Sequence, residues 1–127
     1  MSELTAKEHD AIRALNADYR LAFFKKNVLE QQGLYILVDE EGPLVLEDTE
    51  VDENGTLFSI IPVWSHEQLA NDYASDSDNT QFKAQFVTLS VWNEKWVPMF
   101  KEQEHVLIGF MPVKDQDFSV DDPQVIA

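Results

Sequence analysis

Cysteine is absent from the chain, which excludes disulfides, thiolate zinc sites and cysteine nucleophiles. That suits a reducing compartment. Glycine is scarce as well: Gly33, Gly42, Gly55 and Gly109 stand far apart. No glycine-rich loop therefore exists to wrap a phosphate with backbone N–H groups, and nucleotide binding by that route is unsupported. Long apolar runs are missing. No stretch approaches the ~18 residues of a membrane helix. The first residues, Met1 to Glu8, hold neither a basic region nor an apolar run, so no signal peptide is expected. The expectation is a soluble cytoplasmic protein.

Positive charge is the other shortage. Nine Lys and Arg face 24 Asp and Glu, a net charge of −15. Such a surface repels phosphate backbones and anionic membranes, so neither nucleic acid nor membrane is an expected partner. The plain reading of this charge is solubility. The functional reading is a docking surface for a basic protein. The acid concentrates at Asp39 to Glu41, Glu47 to Glu53, Asp72 to Asp78 and Asp115 to Asp122, all read as loops.

What is present builds a core. With 127 residues, 44% of them hydrophobic and 11% aromatic, the chain suffices for one ordered domain. Two stretches look alike. Ile60 to Trp64 runs into Ser65 to Tyr73, and Phe86 to Leu89 runs into Ser90 to Pro98. Each reads as a buried strand that leads into a short helix anchored by aromatics. They share no residue-level period, so they are not a repeat.

Along the chain, Thr5 with Glu8 fits a capping box. Ile12, Leu15, Tyr19, Ala22 and Phe23 follow at helical spacing, with Phe24 and Val28 as a flanking row. Lys7, Asp10, Arg13, Arg20 and Lys25 mark the opposite face. One long helix from Thr5 to about Gln31 is predicted, with a break near Asn16 to Asp18, and Gly33 is its natural stop. Leu34 to Val38 reads as a buried strand, Asp39 to Pro43 as a turn, and Leu44 to Leu46 as a second strand. Asn54-Gly55 signals another turn, and Thr56 to Val63 a third strand with Pro62 at its end or on an edge. Ser65 with Gln68 reads as the cap of the next helix. Pro98 inside the later helix should kink or restart it, because it lacks an N–H and crowds the Glu94 carbonyl. His105 to Met111 is the clearest strand, with Gly109 allowing a close neighbour or a bulge. Phe118 to Val120 is a last strand, and Asp121-Asp122-Pro123 resembles a helix start.

Motifs of chemistry are weak. His9, His66 and His105 have no partner histidine at i+3 or i+4, so no metal site and no cofactor is expected. Ser65-His66-Glu67 holds the residue types of a hydrolytic triad, but adjacent residues do not converge as a triad must. Asp72, Asp76 and Asp78 lack the glycine and terminal glutamate of a calcium loop. Trp92 and Trp96 read as core, Trp64 less firmly, since it sits at an element boundary.

The order of residues resembles a known family. Arg20 with Phe23-Phe24, then Leu34 to Leu37 and an acidic turn ending in Gly42, then Ile61-Pro62-Val63-Trp64 and Ala70, then Thr88-Leu89, Trp96-Val97-Pro98 and Val106 to Pro112 are similar to the bacterial domain of unknown function 2750. The resemblance runs from about Arg20 to the C-terminus. It departs where the family often has a proline after the tryptophan and this chain has Ser65. The resemblance implies a bacterial cytoplasmic protein and brings no activity, cofactor or catalytic residue.

The expected fold is α+β, a single domain over 1–127. It has a mainly antiparallel sheet of four to five strands, a long N-terminal helix and two shorter helices. The expected function is a non-enzymatic acidic interaction module, of the inhibitor or immunity type, that binds a basic protein through Asp48, Glu50, Asp52, Asp76 and Asp78. The alternative is a regulatory domain with a small-ligand pocket near Trp64 and Tyr73. An enzyme ranks last, because no nucleophile, base and oxyanion donor come together in the sequence. A homodimer through an edge strand such as Leu44 to Leu46 is the further oligomeric expectation.

Overall fold

The computed structural model describes residues 5–51, 57–102, 106–113 and 118–121. Asp52, the Asn54-Gly55 turn, His105 and Asp122-Pro123 lie outside the described residues, whereas Asp121, the first residue of the predicted helix start, ends a strand instead. The fold is α+β, but the strands do not form one sheet. β1 (Gly33–Asp39), β2 (Gly42–Pro43) and β5 (Lys83–Thr88) make a three-stranded sheet in the order β2-β1-β5. β3 (Leu46–Val51), β4 (Leu57–Val63), β6 (Val106–Phe110) and β7 (Ser119–Asp121) make a four-stranded sheet in the order β3-β4-β6-β7. Pairing is antiparallel except between β4 and β6, which run parallel.

The reason for the split is local. Tyr35 and Trp64 exchange backbone hydrogen bonds of 2.8 and 2.9 Å, which tie β1 to the end of β4. The same edge of β4 is paired with β3 at Ile60, opposite Leu46. Pro62 stands between these two attachments and has no N–H to offer that edge. The ladder is interrupted there, and among the described residues the two sheets meet at one bridge. Pro62 is thus buried, set between the attachments of its strand. The predicted strand at Leu44 to Leu46 shrinks to Leu46, which opens β3.

The predicted long N-terminal helix is two helices, α1 (Ala6–Arg13) and α2 (Ala17–Gln31). Thr5 and Glu8 cap each other's backbone at 3.1 Å, the expected capping box. Asn16 starts the second helix by accepting from the Tyr19 N–H at 3.0 Å. The new start resets the helical phase, and that corrects two readings. Arg20, Phe24 and Val28 form the buried stripe of α2, whereas Tyr19 is 64% exposed. The row read as flanking is the core row, and Arg20, read as solvent-facing, is inside.

Gly33 does not end α2. The left-handed position falls on Gln32, at φ 57°. Its side chain donates to the Leu29 carbonyl at 2.6 Å, which helps hold the turn. Gly33 instead opens β1, where an added Cβ would stand 2.2 Å from the Phe86 ring. Asp39 closes the β1–β2 turn by accepting from the N–H groups of Glu41 and Gly42 at 2.9 and 3.2 Å. Gly109 lies in β6 with the Phe118 ring and Ile60 against its Cα, the close approach expected there.

α3 (Glu67–Asp76) follows β4. Residues 89–102 form one continuous helix, α4, whose stretch Trp92–Trp96 is a π turn. The Val97 N–H reaches back to the Trp92 carbonyl, one residue further than in an α-helix. That wider turn directly precedes Pro98 and is how the chain accommodates the missing N–H. Trp92 is fully buried against Trp96 and Phe100, at ring separations of 6.3 and 5.6 Å. One apolar core runs from Ile12 through β1, β4 and β6 to α4. Among the described residues no helix is long and apolar enough to cross a membrane.

Replacing Gln32 with glycine should stabilise the domain by about 0.5–1 kcal/mol, because a left-handed φ costs glycine nothing. Urea denaturation of Gln32→Gly against the parent chain measures it.

Candidate functional site

β4 runs out into Trp64, and β6 runs out into Met111. Met111 takes a left-handed φ of 52°, a conformation that side chains other than glycine rarely hold. Four contacts fix it there. Its N–H donates to the Val63 carbonyl at 2.8 Å, and its carbonyl accepts from Arg20 Nε at 3.0 Å. Its sulfur accepts from the Ser65 N–H at 3.3 Å and the Ser65 hydroxyl at 3.6 Å. The next residue, Pro112, accepts from Trp64 Nε1 at 3.1 Å. This strained corner is over-determined by its neighbours, as such positions must be to persist.

A shallow cleft of about 280 Å³, mouth included, opens between this corner, α1 and α3. Trp64 and Met111 form its floor with Leu69 and Tyr73, one helical turn apart on α3. The rings of Trp64 and Tyr73 lie 5.5 Å apart. Ile12 and Arg13 wall it from α1, Pro112 and Val113 from the strand end, and Asp72 and Asp76 from α3. Arg13 and Arg20 are the only arginines in the sequence, and both line this cleft. Arg13 Nη2 sits 2.7 Å from Asp76 Oδ2, and its Nε 3.9 Å from Asp72 Oδ2. Arg20 lies beneath at 1% exposure, donating to the carbonyls of Met111 and, at 2.6 Å, Leu15. Burial pulls its pKa below the ordinary arginine value, and the two carbonyls help to make the buried charge tolerable. Burial likewise pushes the Tyr73 phenol up.

Ser65 does not cap α3. His66 is the N-cap and makes no capping bond with its side chain. The Ser65 hydroxyl turns inward instead and shares a 2.9 Å hydrogen bond with His66 Nδ1. Both are buried, and the Phe23 ring lies 5.7 Å from the imidazole. Burial lowers the His66 pKa, opposed in part by the field of Glu8.

Of the predicted contacts, Trp64, Tyr73 and Asp76 come together in the cleft. Asp78 lies just past α3, exposed, at φ 59°. Asp48 and Glu50 are within strand β3, not on a loop. Asp72 and Asp76, considered above as calcium ligands, are engaged with Arg13. Sequence reasoning missed Arg13, Arg20 and Met111. The scarcity of arginine was a usable signal, whereas nothing local marks the strain at Met111.

The arrangement defines a class: a two-sheet α+β domain with a small aromatic cleft closed by an ion pair. A family model described as "Protein of unknown function (DUF2750)" matches residues 21–127, and the chain belongs to that family. No curated protein and no solved structure matches it. α1, Arg13 and Arg20 precede the matched segment, whereas the rest of the cleft lies within it.

Two outcomes follow from the buried groups. Arg20→Met should cost about 2–4 kcal/mol in chemical denaturation, because two inward-facing carbonyls lose their donor. For His66 the folded pKa lies below the unfolded value of about 6.5. As pH falls through that value, the unfolded chain takes up a proton that the folded chain refuses, so stability is lost on acidification until the folded pKa is reached. Melting temperatures of the parent chain should therefore fall more steeply between pH 7 and about 5.5 than those of His66→Gln.

Proposed function

We propose that this domain is a non-enzymatic binding module that engages a basic protein partner. The observation that carries the reading is the net charge of −15 combined with the fate of the two arginines. One is buried, and the other is paired with carboxylates, so neither projects freely against the acidic field. Such a field steers a basic partner into encounter and disfavours acidic ones. One concrete form is an inhibitor that covers a basic active site. The Ser65–His66 pair supports a packing role over a catalytic one, because both side chains are buried beside Met111 and Phe23.

A second reading is favoured by the cleft itself. Trp64 and Tyr73 offer an aromatic floor to a small ligand. It ranks second because the 280 Å³ of the cleft includes its open mouth, whereas small-molecule pockets enclose most of their ligand.

The test is a pull-down from bacterial lysate with the tagged chain, eluted by a salt gradient. A stoichiometric basic protein should elute with rising salt. With that protein in hand, reversing Asp48, Glu50, Asp76 and Asp78 to lysine should lower its association rate by about tenfold or more and flatten the salt dependence. Unchanged association kinetics would sink the steering idea. A saturable, salt-insensitive change of tryptophan fluorescence with a metabolite would favour the ligand reading instead.

A further inference from the structure

We infer that Arg13 occupies a receptor for an arginine side chain of the basic partner, so that α1 is a built-in competitor for the cleft. The inference rests on the basic-partner reading above and assigns it a place and a side-chain chemistry.

Asp72 and Asp76 lie one turn apart on α3 and face the cleft from the same rim. A guanidinium carries its nitrogens on a planar fork, so one group reaches two carboxylates at once. Arg13 does this: Nη2 meets Asp76 at 2.7 Å, and Nε lies 3.9 Å from Asp72. A lysine ammonium is a single point and cannot divide itself in that way. Below the carboxylates, Leu69, Tyr73 and Trp64 give an apolar and aromatic floor, the surface that the stem and flat head of an arginine favour. The site is therefore a cleft with a charged rim and a matching floor, and an arginine is already seated in it.

The pair between Arg13 and Asp76 is open to solvent. The side chains of Arg13 and Asp76 are 37% and 38% exposed. Exposed pairs of this kind are worth only about 0.2–1 kcal/mol. α1 has eight residues, and Ile12 is its anchor in the core. The helix that supplies Arg13 precedes the segment matched by the family, whereas both carboxylates and the aromatic floor lie within that segment. At this pair an arginine from outside exchanges one guanidinium for another, drawn in by the net charge of −15.

The probe is a capped tetra-arginine peptide, titrated into the ¹⁵N-labelled full chain at about 0.15 M salt, where surface charges beyond a Debye length are screened. Shifts should concentrate on the Asp72 and Asp76 amides and the Trp64 indole N–H. Tetra-lysine should bind more weakly. Arg13→Ala should lower the Kd for tetra-arginine by about two- to fivefold, the range that removing an exposed competing ion pair allows. Loosening of α1 does not disarm the test, since a released helix vacates the carboxylates too. Asp72→Asn with Asp76→Asn should abolish the localised shifts while the Trp64 indole signal stays in its folded position. Shifts scattered over the acidic surface and untouched by the two Asn substitutions overturn the cleft assignment and leave the basic-partner reading standing. Absence of any binding at this ionic strength removes both. An unchanged Kd in Arg13→Ala overturns the competitor role.

Discussion

Two backbone hydrogen bonds between Tyr35 and Trp64 join the sheets, and most of the molecule is arranged to keep Trp64 where those bonds need it. The indole N–H is held by the Pro112 carbonyl, and its ring packs against Tyr73. A tryptophan buries about 150–250 Å², which at ~25 cal/mol per Å² corresponds to roughly 4–6 kcal/mol as an upper bound. That gain is available only if the corner at Met111 brings the Pro112 carbonyl to the indole N–H. The corner in turn stands in a disfavoured backbone conformation, held by Val63, Ser65 and Arg20. The join between sheets, the strained corner and the buried arginine are thus one interdependent unit. The cleft is the outer surface of that unit.

Arginine placement gives the cleft its character. A chain with so few cations has placed both arginines within one small region, at two depths. The deeper one satisfies backbone carbonyls and cannot move without exposing them. The shallower one meets side-chain carboxylates directly but at the solvent boundary, an interaction that salt and competing cations weaken. The same residue type therefore stands as a buried post in one case and a solvent-facing ion pair in the other.

Much of this was legible in the sequence where the determining forces are local. The Thr5–Glu8 cap, the Asp39 turn, the apolar run of β1 and the disturbance near Pro98 all depend on neighbours a few residues away. The break at Asn16 was legible too, but its consequence was not: a fresh helix start shifts which side chains face inward, and Arg20 moved from surface to core with it. The division into two sheets was hidden because it turns on which strands meet either side of Pro62. Ser65 was misread because a hydroxyl before a helix usually caps it, whereas here the sulfur of Met111 and the ring of His66 lie closer to hand. Of the site, Trp64, Tyr73 and Asp76 could be anticipated as residue types with reach. Their convergence with Arg13 could not, since 63 positions separate Arg13 from Asp76.

The bond from Arg20 to Met111 spans 91 residues. At about 5–20 residues per second, a ribosome needs roughly 5–20 seconds to travel that distance. Throughout that interval the nascent helix carries a guanidinium whose final acceptor has not been made. β4 waits in the same way for β6, its parallel neighbour. The Arg20 contact and the β4–β6 pairing can therefore close only after β6 and Met111 have emerged. For such a chain a net charge of −15 makes unfinished copies repel one another while these contacts are still open.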